Sequence, residues 1–400
     1  MSEAVYNTNG GSGALEASDF YFAISGGSAG LSSSTPTSIS ISGNVYTLGI
    51  SLSGTPTGDE TLTVTPVENA IYDAVGNVAA TSQSNNTVKL NDKGSPTITG
   101  VTLVADNSTI AVTMSEAVFN TNGGSGALEA SDFAFSISGG TASLSSATPS
   151  SISASGNVYT LGIGLSGTPN GSETLTINPV DNGIYDAAGN EASTSQSNNT
   201  AALKDKIAPT ITGVAVATDN GTIAVTMSEA VYNTNGGSGA LEASDFAFSI
   251  SGGTASLSSA TPSSISASGN VYTLGIGLSG TPNGSETITV TPVENAIYDA
   301  VGNVASTTQS NNTATLKDKV AATIAGVSLA SDNGTIAVTM SEAVYNTNGG
   351  SGALEASDFY FAISGGSAGL SSSTPTSISA SGNVYTLGIG LSGTPNGSET

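Results

Sequence analysis

The chain has 400 residues and carries 30 acidic side chains against six lysines, which gives a formal net charge of −24. It contains no histidine and no cysteine, so it lacks the imidazole bases, thiolate nucleophiles and zinc ligands that many catalytic sites use. The acidic charge repels nucleic acid and anionic membrane surfaces, and it attracts cations. No apolar run approaches the length of a membrane span. We therefore expect a protein that is not an enzyme, has no nucleic-acid partner and does not insert into a membrane through this segment.

One sequence unit recurs along the whole chain. The segment Ser2–Asn9 returns at Ser115, Ser228 and Ser341, so copies lie 113 residues apart. A unit of this length reaches the usual domain size of roughly 100–150 residues and can bury its own core. Met1 falls inside the repeating pattern, and we expect the repeats to continue in a longer protein. All six lysines lie at the seams between units, which predicts domains at residues 1–92, 93–205, 206–318 and 319–400, the first without its opening strands and the last without its closing strands.

Within the unit 93–205, alternation of β-branched and small residues predicts short strands separated by Gly, Pro, Asn and Asp turns. A long glycine-rich loop covers residues 115–131, with one helical turn predicted at 127–130. The predicted strands cover residues 96–104, 109–114, 133–137, 141–145, 150–154, 158–165 and 173–177, and a final strand ends near Leu203. This pattern predicts an all-β fold, an antiparallel β-sandwich in each unit. Links of only a few residues predict a stiff rod of such units.

Three motifs of the unit resemble a known class of repeats. They are Ser115-Glu-Ala-Val after an apolar strand, Ala130-Ser-Asp-Phe, and Tyr185-Asp-Ala-Ala-Gly-Asn. In this order, followed by Asp-Lys at the seam, they resemble the bacterial immunoglobulin-like tandem repeats of giant cell-surface adhesins and surface-layer-associated proteins. The resemblance implies an immunoglobulin-like sandwich and an extracellular, cell-surface location.

Acidic residues recur at fixed places in each unit. In an immunoglobulin-like winding, the loop after the second strand and the loop before the last strand share one end with the domain's N-terminus, so Glu116, Asp132 and Asp186 are expected near Asp92. Several carboxylates at a seam suit Ca²⁺, which takes six to eight hard oxygen ligands. By resemblance to tandem adhesin domains, the ion would fix the angle between units. The candidate metal ligands are Asp92, Glu116, Asp132, Asp186, Asp205, Glu229, Asp245, Asp299, Asp318, Glu342 and Asp358.

The same acids have an ordinary structural interpretation. Glu116 and Asp132 are also suited to capping turns, and Asp186 with Asn190 is typical of a tight turn. Lys93 and Lys206 lie where a cation would bind, so salt bridges at the seams are the alternative to a metal ion.

Three functions are compatible with this pattern. The first is a non-enzymatic stalk that extends a distal binding region of an exported adhesin or filament away from the cell. In the second, each repeat binds a glycan or a solid surface through the loop Asn120–Asp132, and repetition supplies avidity. In the third, like chains associate laterally in a filament through their edge strands.

Overall fold

A computed structural model describes residues 1–400 of the chain. Its regular structure consists of antiparallel strands and four 3-10 turns of three residues each. None of its helices has the length and apolar character that a bilayer span requires. The all-β prediction is confirmed. The chain divides into two compact units, Met1–Ala208 and Pro209–Thr400.

The first compact unit opens with seven strands, and a 3-10 turn at Ala17–Asp19 leads into them. The strands are β1 (Phe20–Ser25), β2 (Gly30–Leu31), β3 (Ile39–Ser42), β4 (Val45–Leu48), β5 (Leu52–Ser53), β6 (Thr61–Pro66) and β7 (Thr87–Lys89). They form a sheet of order β1-β6-β7 and the two pairs β2-β5 and β3-β4.

The first unit continues with nine strands and a 3-10 turn at Ala130–Asp132. The strands are β8 (Ile98–Leu103), β9 (Thr109–Met114), β10 (Phe133–Ser138), β11 (Ser143–Leu144), β12 (Ile152–Ser155), β13 (Val158–Gly162), β14 (Leu165–Ser166), β15 (Thr174–Pro179) and β16 (Thr200–Ala202). They form a four-stranded sheet of order β12-β13-β9-β8, a three-stranded sheet of order β10-β15-β16, and the pair β11-β14.

The core of this second repeat is built from both of its larger sheets. Alternate residues of β9 and β15 are buried, as period-two side-chain geometry requires. Ile110 and Val112 from one sheet and Leu175 and Ile177 from the other belong to a single hydrophobic cluster, drawn entirely from residues 98–203. Two facing sheets with one shared interior make a sandwich-like unit.

The second compact unit repeats this plan. It has 3-10 turns at Ala243–Asp245 and Ala356–Asp358, and a hydrophobic cluster drawn from residues 211–316. Its sheets have the orders β17-β18-β22-β21, β19-β24-β25, β20-β23, β26-β27-β30-β29 and β28-β31. The strands are β17 (Ile211–Val216), β18 (Thr222–Met227), β19 (Phe246–Ser251), β20 (Ser256–Leu257), β21 (Ile265–Ser268), β22 (Val271–Gly275), β23 (Leu278–Ser279), β24 (Thr287–Pro292), β25 (Thr313–Thr315), β26 (Ile324–Leu329), β27 (Thr335–Met340), β28 (Gly369–Leu370), β29 (Ile378–Ser381), β30 (Val384–Gly388) and β31 (Leu391–Ser392).

Two local predictions were wrong. The segment 158–165 is not one strand: β13 ends at Gly162, and β14, which begins at Leu165, pairs in a different sheet. The two glycines in this segment lie against serine hydroxyls, since a Cβ at Gly162 or Gly164 would come within 2.4 Å of a serine Oγ. The helical turn lies at Ala130–Asp132 rather than 127–130, because the side chains of Glu129 and Asp132 cap it in a reciprocal box.

Candidate metal centre

Three of the predicted acids meet where the first repeat joins the second. Asp92 lies in the linker between β7 and β8, Glu116 follows β9, and Asp186 lies in the loop after β15. Their carboxylate oxygens lie within 4.8 Å of one another, and Asp186 is completely buried. We call Asp92, Glu116 and Asp186 the acidic triad. β9 and β15 belong to opposite sheets, so the triad forms only when the sandwich closes and the linker is in place.

Local hydrogen bonds fix the two aspartates of the triad. Asp186 accepts from the backbone N–H of Asn190 at 2.8 Å and from its Nδ2 at 2.7 Å. The Asp92 carboxylate accepts from the N–H of Gly94 at 2.8 Å. The structural interpretation of Asp186 as a turn residue therefore holds, and the same turn brings its carboxylate to the triad.

Glu116 is held by its neighbour in the chain. Ser115 donates its backbone N–H to the carbonyl of Thr97 at 2.8 Å, and its Oγ accepts from the N–H of Thr97 at 2.9 Å. This pair of bonds ties the start of the long loop to the start of β8. Glu116, next in sequence, is thereby placed beside the linker.

Without a cation, the negative charges of the triad repel one another. Partial burial raises the pKa of Glu116 above its usual value, and the negative charges of Asp186 and Asp92 raise it further. A cation between the three oxygens would reverse this repulsion. The arrangement can therefore hold a metal ion, and its oxygen-only ligands suit a hard cation.

Asp132 is not part of the triad. Its Oδ2 accepts from the N–H of Glu129 at 2.7 Å, and its backbone carbonyl accepts from Val180 at 2.9 Å. The equivalent residues Asp245 and Asp358 cap their 3-10 turns in the same way, accepting from the N–H of Glu242 and Glu355. In these three positions the acid organises the turn that leads into a strand.

The remaining candidate ligands keep local environments that match their counterparts. Asp299 is 1 % exposed, and its carboxylate accepts from the N–H of Asn303 at 2.8 Å and from its Nδ2 at 2.6 Å. Asp205 and Asp318 accept from the N–H two residues later, as Asp92 does. Glu229 and Glu342 are half-buried at the position of Glu116.

The glycine-rich loop packs onto the loop that bears Asp186. Phe119 and Tyr185 exchange backbone hydrogen bonds of 2.7 and 2.8 Å, and Gly124 lies against Ala187. Leu128 is the buried residue of the segment Asn120–Asp132, and most of the others are exposed; the contacts of Phe119 and Gly124 hold the loop against the segment that bears Asp186. The loop therefore supports the triad from one side.

A buried glutamate that the sequence analysis did not single out recurs at Glu60, Glu173 and Glu286, and the equivalent Glu399 is half-buried. The Glu173 side chain is 0 % exposed, and its carboxylate accepts from the N–H groups of Thr141, Ala142 and Asn170. The signal in the sequence was its strict recurrence directly before a strand. The predicted strand 173–177 includes this position, whereas β15 begins one residue later, at Thr174.

A second missed residue is Asn107, in the turn between β8 and β9. It is 2 % exposed, and it exchanges two hydrogen bonds of 2.8 Å with the backbone of Lys204. Asn220 makes the same pair of bonds with Lys317. Asn107 has a left-handed backbone, with φ of 62°. The Asn-Ser or Asn-Gly pair in this turn is the sequence signal for such a conformation, because asparagine and glycine adopt it more readily than other residues.

A cavity of about 820 Å³ belongs to the first repeat. Phe20, Phe22, Leu62 and Val64 line it from the β1-β6-β7 sheet. It is the inner face of that sheet, and it contains none of the triad.

Compared with protein-family models, with curated proteins and with solved structures, the chain matches none.

Proposed function

We propose that this chain is a stalk segment: a series of independently folded sandwiches that holds a binding region of an exported surface protein away from the cell. The observation that carries the proposal is the closed core of each full repeat, one drawn from residues 98–203 and the other from residues 211–316. A repeat with its own core needs no neighbour to fold, so copies can be added to gain length. The absence of histidine and cysteine from the sequence also favours a mechanical role over a catalytic one.

The finer description of each repeat as an immunoglobulin-like domain belongs to this proposal. It is supported by the order of strands within the sandwich and by the resemblance of the Ser-Glu-Ala-Val and Tyr-Asp-Ala-Ala-Gly-Asn motifs to bacterial adhesin repeats. An extracellular location at the cell surface follows from the same resemblance. The partners of the whole protein would then be a glycan or solid surface reached by the distal region, or like chains in a filament.

We further propose that the acidic triad binds Ca²⁺. Three carboxylates offer up to six hard oxygens, and Ca²⁺ accepts both monodentate and bidentate carboxylates in flexible geometry. Because Asp92 comes from the linker and the other two acids come from the second repeat, a bound ion would join the linker to the following repeat. Such a joint would stiffen the stalk.

Stretching a single molecule tests the stalk proposal. Independent repeats predict two full unfolding events of similar force, each lengthening the chain by roughly 350–400 Å, the extended length of about 110 residues at about 3.3–3.6 Å each. A single event that releases several repeats at once would contradict independent folding. A second experiment compares how much of the purified chain is retained on glycan-coated and on bare surfaces. Retention on the glycan-coated surface alone would favour the alternative that each repeat is a binding module.

A further inference from the structure

The exit linker of the first repeat lies against one turn of that repeat. The N–H of Lys93 donates to the carbonyl of Pro56 at 2.9 Å, and the Cβ of Asp92 lies beside Gly58. The turn Thr55–Glu60 therefore forms the surface on which the linker rests. Asp92, a member of the acidic triad, is placed by this contact.

The turn itself is held by the buried carboxylate of Glu60. Its Oε2 accepts from the N–H of Thr57 at 2.9 Å, while its Oε1 accepts from the N–H groups of Ser28 at 2.7 Å and Ala29 at 2.9 Å. One side chain thus joins two loops that are about thirty residues apart in the chain. The joint is tight, because a Cβ at Gly27 would lie 2.1 Å from the Cδ of Glu60.

The same connection recurs in the other full repeats. Glu173 binds the N–H groups of Thr141 and Ala142, and the following linker donates from Lys206 to the carbonyl of Pro169 at 2.8 Å. In the third repeat Glu286 occupies this position, and Lys319 donates to Pro282 at 2.8 Å. A buried carboxylate and a linker hydrogen bond therefore occur together in each repeat that has both parts.

The charge of Glu60 is balanced by backbone N–H dipoles. The turn carries Asp59, the linker that rests on it carries Asp92 and Lys93, and the Nζ of Lys89 donates to the carbonyl of Gly58 at 3.5 Å. Burying a carboxylate costs free energy unless hydrogen bonds compensate it. A hydrophobic residue in the same space would leave the N–H groups of Ser28, Ala29 and Thr57 without this acceptor, so the role of the carboxylate lies in the bonds that it makes.

We propose that Glu60, and its counterparts Glu173 and Glu286, are positioning residues that fix the direction in which each repeat's exit linker leaves the sandwich. Through the turn, Glu60 sets where Asp92 lies and hence how the next repeat is attached. This inference rests on the proposed stalk function, since it concerns the stiffness of the seam. We call the hydrogen bonds of Glu60, together with the bond from Lys93 to Pro56, the clamp. The clamp needs no metal ion.

Distance measurements between two spin labels test the clamp in the whole chain. Because the protein has no cysteine, Ser40→Cys and Ser153→Cys label equivalent exposed strand positions in the first and second repeats without further changes. In chelator, the wild-type chain should give a narrow distance distribution. Glu60→Gln replaces an acceptor oxygen with an NH₂ group facing backbone donors, and should broaden the distribution by at least roughly twofold, as for a linker released to flexible behaviour.

Matched variants separate the clamp from general destabilisation. Glu68→Gln removes the same charge from an exposed position and should leave the distribution narrow. Lys93→Pro removes the N–H that bonds Pro56 while leaving Glu60 intact, and should broaden the distribution, whereas Lys93→Ala keeps the N–H and should not. If Glu60→Gln fails to fold by circular dichroism, the two Lys93 variants decide the question.

Two outcomes would overturn the proposal. Narrow distributions in Glu60→Gln and Lys93→Pro would show that the seam does not depend on the clamp, and the stalk proposal would survive. A broad distribution in the wild-type chain in chelator would overturn the proposal, and one that stays broad in excess calcium would overturn the stalk proposal as well.

Discussion

Asn107 joins the beginning and the end of the second repeat with a single side chain. It lies in the turn between β8 and β9, and its amide exchanges hydrogen bonds with the backbone N–H and carbonyl of Lys204 just after β16. Its φ of 62° falls in the left-handed region, where asparagine is tolerated better than most other residues. The bond pair therefore closes the repeat at the place where the chain leaves it.

Replacing Asn107 with alanine should open this closure. Both hydrogen bonds are lost and a Cβ without a polar group is left in the left-handed region, so we expect about 1–3 kcal/mol of local destabilisation. Hydrogen exchange at the Lys204 amide should then accelerate by roughly 5- to 160-fold, at about 1.36 kcal/mol per factor of ten. The Lys317 amide, which bonds Asn220 in the same molecule, is the internal control. Equal acceleration at both amides would contradict the local role of Asn107.

The buried glutamates should make the repeats sensitive to acid. The N–H of Ala29, followed by those of Thr57 and Ser28, outweighs the cost of burial and lowers the pKa of Glu60 from 4.5 to about 2. A pKa lowered in the folded state contributes stability above pH 4.5, and this contribution is lost as the pH falls towards 2. The melting temperature of the wild-type chain should therefore fall across this range. A chain with Glu60, Glu173 and Glu286 all changed to Gln should melt lower at neutral pH and change less with acid, and parallel pH profiles would exclude this role.

At the scale of single elements, a pair of glycines shows how closely the buried carboxylate is enclosed. Gly140 and Gly156 have similar left-handed φ values of 62° and 58°. A Cβ at Gly140 would lie 2.1 Å from the Cδ of Glu173, whereas a Cβ at Gly156 would meet no atom within 4 Å. An alanine would therefore meet similar backbone strain at the two positions, but a steric clash only at Gly140.

Alanine at these two glycines should give different losses of stability. Gly156→Ala should cost only the strain of a left-handed alanine, roughly 1–2 kcal/mol. Gly140→Ala should cost more, because Glu173 must move and its bonds to Thr141 and Ala142 break. Hydrogen exchange of the peptide that contains each substitution measures the difference, with the unchanged third repeat as the internal reference. A similar acceleration in both variants would show that the carboxylate is free to shift.

Most strands of the repeat could be predicted from alternation alone. The predicted strand at 109–114 is confirmed at Thr109–Met114, because its period-two pattern matches the buried face of a half-exposed strand. The break between β13 and β14 was not predicted, although Gly162 and Gly164 indicate twist or close packing within the predicted strand 158–165. Their actual constraint is the close approach of serine hydroxyls from another segment, and a long-range contact of this kind leaves no local pattern.

Only part of the candidate site could be predicted, because the sequence does not show which residues of a loop face the seam. Asp92, Glu116 and Asp186 were expected together, and the structure brings their oxygens within 4.8 Å. Asp132 was expected with them, but it caps a 3-10 turn by bonding Glu129. Sequence spacing places a loop at one end of the sandwich, yet it does not fix which residues of that loop face the seam. Glu173 was missed because its partners are backbone N–H groups, which have no sequence signature.

At the scale of the whole molecule, the proposed binding of calcium at the acidic triad would link folding to cation concentration. Burial and the charges of Asp186 and Asp92 raise the pKa of Glu116, so the ionised side chain destabilises the fold at neutral pH and this penalty disappears in acid. In chelator, Glu116→Gln should therefore raise the melting temperature of the second repeat. A bound ion stabilises the folded chain by about 2.7 kcal/mol at one hundred times its Kd.

Excess calcium should raise the wild-type melting temperature and should raise that of Glu116→Gln much less. Differential scanning calorimetry with calcium and with chelator gives all four values. Glu68→Gln, which changes an exposed acid outside the triad, should respond like the wild type. An unchanged wild-type curve in calcium would remove the metal proposal and leave the stalk proposal standing.

Small-angle scattering of the full chain in solution tests whether independent sandwiches are held in line, as the stalk proposal requires. A single repeat of this length has a radius of gyration of about 13 Å, and a compact globule of 400 residues would have about 21 Å. Repeats placed end to end predict a radius of gyration of roughly 35 Å, with a cross-section no wider than one repeat. A value near 21 Å would show that the repeats collapse onto one another, and would contradict the account of this chain as a stalk.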